Sequence, residues 1–241
     1  MSPNPPAFIR HLRERGYHPR SDKHSIALAE AIVRDLLASS APMAERAASG
    51  TLVYDLNFTI NAGTSDWNVD LVLGAPPPGA EPPEAGEPIR KTRPSTVQIA
   101  IEIKSVMTEH RKAVKNRKRD LEAHHEHVHR YSNRAIAGGV LVVNAAASFV
   151  SPLRSAPTTH RNPAALVEHC VRQARSITGR SGLHGEGLEA RCVLVVDMDN
   201  EHLGSTTFVT APPAPQVGDP LHYDAFAQAV ASLYIERFSG D

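Results

Sequence analysis

The chain has 241 residues, enough for one α/β domain with modest additions. Hydrophobic residues make up 41% and charged residues 22%, which supports a sizeable buried core and argues against global disorder. Lys plus Arg and Asp plus Glu both number 26, so the formal net charge is zero. This balance excludes a uniformly basic nucleic-acid-binding surface but allows a local one.

Two further features concern the cellular compartment. No segment approaches the ~20 apolar residues needed to cross a bilayer, and the first residues contain no apolar signal core. Cys170 and Cys192 lie far apart and match no zinc-binding spacing, which favours reduced, buried thiols. We therefore expect a cytoplasmic protein with no membrane partner.

In chain order, the first predicted element is a helix over residues 22–39, which Ser21 or Asp22 can cap. Its apolar residues recur at helical spacing. They are Ile26, Ala29, Ile32, Val33, Leu36 and Leu37. Pro42 and Gly50 are expected to break the chain after this helix.

Three strands are predicted next. Residues 51–60 alternate, which places Leu52, Tyr54, Leu56, Phe58 and Ile60 on one face of a half-buried strand. After a turn at 61–65, residues 68–73 form a short second strand. Residues 75–95 contain seven prolines and predict an irregular exposed segment. Residues 97–104 (VQIAIEIK) then read as a buried central strand.

The second half begins with a predicted helix over about 108–131, in which Val114, Leu121 and Val128 form a narrow buried stripe. Gly138 and Gly139 are expected to end this region. The remaining predicted elements are a strand at 140–143, a helix at 163–177, a strand at 190–197 and a terminal helix at 223–238.

This order predicts an α/β fold with a mixed central β-sheet flanked by α-helices. We expect a single domain over residues 1–241. Its core spans about 22–200, and residues 201–241 form a C-terminal extension that ends in the terminal helix.

The chemistry is concentrated in the strand at 97–104, where Gln98, Ala100, Glu102 and Lys104 share one face. A carboxylate and an ammonium group on a core strand are costly to bury unless a metal ion, a mutual ion pair or a strand-end position compensates.

Asp70, in the preceding strand, is a second acid. If the two strands pair through the proline-rich segment, Asp70 and Glu102 can converge on one hard cation. Two acids plus a backbone carbonyl are enough for Mg²⁺, which keeps most of its waters. Lys104 could then orient or deprotonate an attacking water, or stabilise the charge that develops on the phosphate. Asp66 and Asp55 are rival first acids, ranked below Asp70.

These residues resemble the PD-(D/E)XK nuclease superfamily, with Asp70 matching its first acid and Glu102-Ile103-Lys104 its second motif. The resemblance implies a restriction-endonuclease-like core, with Asp70, Glu102 and the Ile103 carbonyl as metal ligands and Lys104 serving the nucleophilic water. Many members carry a glutamate on the preceding helix, and Glu30 is the best match. Val69 replaces the proline that gives the family its name.

The predicted helix that follows carries six cations within nine residues of an otherwise neutral protein. They are Arg111, Lys112, Lys115, Arg117, Lys118 and Arg119. Such a local cluster beside a metal site is typical of contact with a phosphate backbone. The alternative is a solvated helix face, partly balanced by Asp120 and Glu122.

The histidines at 124, 125, 127 and 129 suggest a second possibility, because His125 and His129 are spaced to chelate zinc on a helix. No HExxH order is present, so a neutral histidine face is the favoured interpretation.

Together these features predict a Mg²⁺-dependent deoxyribonuclease, with Mn²⁺ as a substitute ion, of the restriction or antiviral-defence type. The expected partner is DNA, with a homodimer to cut two strands and a methyltransferase or defence-complex subunit as further partners. The alternatives are a non-catalytic nucleic-acid-binding protein on the same fold, and a nickase or repair-nuclease subunit of a larger complex.

Overall fold

The computed structural model describes residues 4–61, 63, 66–108 and 111–240. Its α-helices are α1 (Pro6–Arg15), α2 (Lys23–Ser39), α3 (Ala41–Ala48), α4 (Arg111–Tyr131), α5 (Pro163–Arg175) and α6 (Tyr223–Phe238). Its strands are β1 (Val53–Asn61), β2 (Asp66–Gly74), β3 (Arg90–Lys91), β4 (Ile99–Val106), β5 (Ile136–Asn144), β6 (Ser148–Phe149), β7 (Thr158–Thr159), β8 (Ala190–Asp197) and β9 (Thr207–Phe208).

Seven of the strands form one mixed sheet, in the order β3-β1-β2-β4-β5-β8-β9. The central strands β4, β5 and β8 are parallel, whereas β1–β2 and β2–β4 are antiparallel. The separate pair β6–β7 forms a small hairpin. The predicted α/β fold with a mixed central sheet is therefore confirmed. β2 pairs with β4, which is the condition on which Asp70 and Glu102 can converge.

Helices cover both faces of this sheet. On one face, α2 and α6 pack on Ile99, Ile101 and Ile103 of β4. On the other face, α4 packs on Ala100 through Leu121 and Val128, and α5 covers the β5–β8 region. The stripe of Val114, Leu121 and Val128 is buried as predicted. The main core includes residues of α1 and α6, which lie outside positions 22–200.

The expectation that Gly138 and Gly139 end the helical region before a strand at 140–143 is wrong, because both glycines lie inside β5. A Cβ atom on Gly138 would come within 3.2 Å of the Phe226 ring on one face of the sheet. On Gly139 it would come within 2.8 Å of Leu188 and 3.2 Å of Leu121 on the other face. The glycines therefore permit close packing of helices on a central strand.

The expectation that the apolar residues of β1 share one face is also wrong. Leu52 and Leu56 pack in the core beneath α2, whereas Phe58 and Ile60 pack in the core beneath α4. Between them, Asn57 has a φ of 53° and is unpaired with β2, while Leu56 and Phe58 on either side are paired. The left-handed residue interrupts the alternation, so the strand changes face at Asn57.

Several elements were not expected from the sequence. They are α1, α3 and the two-residue strands, of which β3 lies within the proline-rich segment and pairs with β1. The helix α2 ends at Ser39, before Pro42, as predicted, and Pro42 then lies in the first turn of α3, where its missing N–H costs nothing. Ser40 caps this helix, since its hydroxyl accepts a hydrogen bond from the Met43 N–H at 3.4 Å.

Cys170 and Cys192 are both buried and unpaired with each other, as predicted. Among the helices of the described residues, none is both long enough and apolar enough to cross a membrane.

Candidate metal centre and nucleic-acid surface

The candidate centre lies where the β2–β4 ladder ends. Backbone pairing runs from Leu73↔Ile99 to Leu71↔Ile101 and stops before Asp70. Asp70 Oδ2 then accepts a hydrogen bond from the Ile103 N–H at 2.7 Å. A side chain thus takes the place of the next backbone partner, which fixes the carboxylate of Asp70 against the chain segment that carries Glu102 and Lys104.

Glu102 and Lys104 lie side by side on the face of β4 that α4 covers. Glu102 is 2% exposed, and its Oε1 forms an ion pair with Lys104 Nζ. The side chain of Lys104 remains 22% exposed, so its ammonium group connects the buried carboxylate with the surface. Glu102 Oε2 has no hydrogen-bond partner among the described residues, which leaves one carboxylate oxygen unused.

The two acids influence one another. Burial raises the pKa of Asp70, and the Ile103 hydrogen bond and Lys104 only partly offset this. Burial, followed by the negative charge of Asp70, raises the pKa of Glu102 to about 7 despite the opposing effect of Lys104. Two buried carboxylates that disfavour each other's charge attract a cation, because a cation restores the ionised form of both.

The donor set suits a hard divalent cation. Both acids offer oxygen atoms, and Mg²⁺ needs only one or two carboxylates because it retains several waters. Among the described residues, no three His, Cys, Asp or Glu side chains are arranged around a common point. Ile103, expected to contribute its carbonyl, is seen to contribute its N–H to Asp70.

The charge of Glu30 acts on groups outside the candidate centre. Glu30 is half-buried on α2, and its charge acts on the pKa values of His11 and Tyr54. Asp22, which lies just before the first turn of α2, adds to the effect of burial in raising the pKa of Asp70. Asp22 Oδ2 accepts a hydrogen bond from Asn57 Nδ2 at 3.0 Å, so the face change in β1 is tied to the start of α2.

The rival first acids are engaged locally. Asp55 Oδ1 accepts the N–H of its neighbour Leu56 at 2.9 Å, and Asp66 Oδ1 accepts from Asn61 Nδ2 at 3.0 Å across the hairpin. Asp70 is the aspartate of this hairpin whose carboxylate reaches β4.

His124 is the residue of this centre that sequence reasoning missed. It is 0% exposed, its Nε2 lies 3.1 Å from the Ala100 carbonyl, and its Nδ1 lies 4.0 Å from Glu102 Oε2. A signal was present, because His124 is three residues after Leu121 and four before Val128 and so falls on the buried stripe of α4. Asp120, also on α4, contributes to the raised pKa of Glu102.

The predicted cations divide into two groups. Lys112, Lys115 and Arg119 are exposed, and no acid among the described residues pairs with them. Arg117 instead pairs with Asp120 at 3.1 Å, and Lys118 with Glu122 at 2.6 Å. The side chain of Arg111 lies outside the described residues.

A groove of about 350 Å³ runs between α4 and α5 beside these cations. It is lined by Lys115, Lys118, Arg119, Glu122, His169 and Gln173. The basic residues of α4 therefore face an open depression rather than a packed neighbour.

The other histidines of α4 have separate contacts. His125 Nδ1 accepts the Gly187 N–H at 3.3 Å, His129 Nε2 lies 3.0 Å from Glu189 Oε2, and His127 stacks on Trp67 with ring centroids 4.5 Å apart. The nitrogens of His125 and His129 named here already have hydrogen-bond partners. These two histidines therefore contribute to packing and hydrogen bonding.

Comparison of the chain with protein-family models, with curated proteins and with solved structures finds no match in any of the three.

Proposed function

We propose that this protein is a metal-dependent phosphodiester hydrolase. The observation that carries this proposal is the meeting of Asp70, Glu102 and Lys104 at the end of the β2–β4 ladder, with Asp70 hydrogen-bonded to the Ile103 N–H at 2.7 Å. Two buried acids and one partly exposed ammonium group are what a hydrolase needs to hold a cation next to an anionic substrate. More particularly, we propose a cytoplasmic restriction or defence endonuclease with a restriction-endonuclease-like core that cuts DNA.

The residues divide the chemical work. Asp70 and Glu102 would hold Mg²⁺, for which Mn²⁺ can substitute. When bound, the ion supplies Lewis-acid stabilisation of the phosphate and lowers the pKa of a coordinated water. Lys104, held by Glu102 and partly exposed, places a positive charge where the scissile phosphate approaches. The surrounding apolar residues of β4 exclude bulk water, which strengthens these electrostatic interactions.

The exposed cations of α4 support DNA as the substrate class. Lys112, Lys115 and Arg119 have no acidic partner among the described residues, so their charges are available to phosphates. Such contacts position a duplex without reading its sequence. A homodimer would supply two centres for two strands, and a methyltransferase or defence-complex subunit would supply the biological context.

The test is cleavage of plasmid and single-stranded DNA by the full-length protein with Mg²⁺, with and without EDTA. We expect cleavage that EDTA abolishes and that Lys104→Ala reduces at least about hundredfold, because one charge-stabilising group is lost. Arg90→Ala is a matched control, since that cation is also ion-paired to a glutamate, Glu81, but lies on β3, outside the centre and the basic groove. Normal cleavage by Lys104→Ala would disprove this assignment.

One observation favours the alternative of a non-catalytic nucleic-acid-binding protein. The Glu102–Lys104 ion pair and the Asp70–Ile103 hydrogen bond partly satisfy these charges without a metal ion. In that case DNA binding would be unaffected by EDTA and no cleavage would occur. A nickase or a repair-nuclease subunit would instead convert supercoiled plasmid to the open-circular form only.

A further inference from the structure

Two buried atoms face each other at the centre and neither has a hydrogen-bond partner among the described residues. They are Glu102 Oε2 and His124 Nδ1, which lie 4.0 Å apart. Both side chains are almost completely buried, at 3% and 0% exposure. A buried polar atom without a partner is costly, and two at one place indicate that something is bound between them.

The identity of the two atoms restricts what can lie between them. The other nitrogen of His124 lies 3.1 Å from the Ala100 carbonyl, which can only accept, so Nε2 carries the proton. Among the described residues no acceptor lies within hydrogen-bond distance of His124 Nδ1, so this nitrogen presents a lone pair. Glu102 Oε2 also presents lone pairs, because the ammonium group of Lys104 contacts Oε1. Two electron-pair donors therefore point at each other.

The distance between the two atoms fits a bridging metal ion. A direct hydrogen bond would require about 3 Å, so 4.0 Å is too long. One metal ion with a nitrogen bond of about 2.0–2.1 Å and an oxygen bond of about 2.0–2.2 Å spans about 4.0–4.3 Å when the two ligands are opposite. Tetrahedral coordination would bring the ligands to about 3.4 Å, which favours an octahedral ion over zinc.

We propose that Glu102 Oε2 and His124 Nδ1 together hold a divalent first-row transition-metal ion in octahedral coordination. This deepens the proposed function, on which it rests, by adding a nitrogen ligand and by naming the class of ion. An imidazole ligand favours transition metals over Mg²⁺ and Ca²⁺, which bind oxygen. The centre therefore selects ions such as Co²⁺ or Mn²⁺ when Mg²⁺ is in excess.

The test uses Co²⁺, whose visible absorption reports its ligands. Chelator-stripped full-length protein is titrated with Co²⁺ in a large excess of Mg²⁺. We expect one Co²⁺ per chain in the wild type, and at least about tenfold weaker binding in His124→Gln and in Glu102→Gln. His127→Gln is the matched control, because this ring stacks on Trp67 and not against β4, and it should bind Co²⁺ as the wild type does.

A second measurement needs no variant. In the Co²⁺-loaded wild type, the Nε2 proton of a ligating His124 should appear in the proton NMR spectrum as one strongly shifted, exchangeable imidazole resonance. Wild-type affinity for Co²⁺ in His124→Gln, or the absence of this resonance from the loaded protein, would overturn the inference. Mg²⁺-dependent DNA cleavage with a His124-independent Co²⁺ titration would remove this inference alone. A His124-dependent Co²⁺ site without cleavage by any metal would remove the proposed function instead.

Discussion

Two buried glutamates lie against the same helix and have opposite surroundings. Glu189 is held by Arg180 and Arg237, each at 2.8 Å, by His129 at 3.0 Å and by the Ala137 N–H at 2.9 Å. Glu102 has an ion pair with Lys104 on one oxygen and, among the described residues, no hydrogen-bond partner on the other. The side chains are 2% and 3% exposed, so burial does not distinguish them.

The pKa values of the two glutamate side chains differ accordingly. Burial raises the pKa of Glu189, but hydrogen bonds from His129, Arg237 and Ala137 outweigh it and bring the pKa to about 2. Burial and the nearby charge of Asp70 raise the pKa of Glu102 to about 7. A fully paired carboxylate stabilises the fold, whereas an underpaired one is available for a cation.

The largest effect is expected on activity at Glu102. Glu102→Gln should lower the rate of metal-dependent DNA cleavage at least about thousandfold, because the amide cannot replace a charged metal ligand. DNA affinity, measured by fluorescence anisotropy, should remain, since the cations of α4 are unchanged. Glu126→Gln, on the exposed surface of the same helix, is the control and should cleave normally.

The next effect is on stability at Glu189. Glu189→Gln should lower the free energy of unfolding by about 3 kcal/mol, because it leaves the buried side chains of Arg180 and Arg237 without their acid. Urea denaturation measures this loss, and Glu126→Gln should change stability by less than about 0.5 kcal/mol. If Glu102→Gln were as destabilising as Glu189→Gln, the contrast between the two sites would be wrong.

The pH dependence should have opposite signs at the two glutamates. The raised pKa of Glu102 means that its protonated form favours folding at low pH, and that this contribution is lost as pH rises from about 4.5 to about 7. The lowered pKa of Glu189 means that its contribution is present above about 4.5 and is lost as pH falls towards about 2.

Denaturant titrations of the metal-free protein at several pH values test this. Relative to Glu102→Gln, the wild type should lose stability between pH 4.5 and 7. Relative to Glu189→Gln, it should lose its advantage only below pH 4.5. Parallel curves for the wild type and Glu102→Gln across pH 4.5–7 would contradict the raised pKa.

The smallest effect is expected on DNA binding by the exposed cations in the first half of α4. Replacing Lys112, Lys115 and Arg119 by alanine should reduce the slope of log affinity for DNA against log salt by about 2–3, since each released phosphate contact contributes about 0.9. Arg130→Ala, an exposed cation near the Glu189 end of the helix, should leave the slope unchanged. An equal change in both variants would place the DNA surface elsewhere.

Local patterns were sufficient for much of the fold. The stripe of Val114, Leu121 and Val128 predicted the buried side of α4, and the alternation around Glu102 predicted which side chains of β4 share a face. The pairing of β2 with β4 was only a condition of the predicted site, and the structure shows it. Period-2 and period-3.6 patterns carry such information because they reflect which side of an element is covered.

Local rules failed where a distant residue decided the conformation. The central strand β5 has glycine at positions 138 and 139 because Phe226, Leu121 and Leu188 approach it from both faces. Asn57 changes the face of β1 through one left-handed residue, whose side chain is bound by Asp22 of another element. Neither the close packing at Gly138 and Gly139 nor the hydrogen bond at Asn57 changes the pattern of apolar residues around it in the sequence.

The sequence by itself determined the α/β class, the chemical types of the candidate centre and the local excess of cations on α4. The tertiary structure decided which acids meet and that Asp70 is fixed by the Ile103 N–H. It also decided that Asp22, just before α2, contributes to the raised pKa of Asp70. It also decided that His124 faces Glu102 while Glu189 is fully paired. The physical reason is that a carboxylate's role depends on the few atoms within hydrogen-bond distance, and these come from elements far apart in the chain.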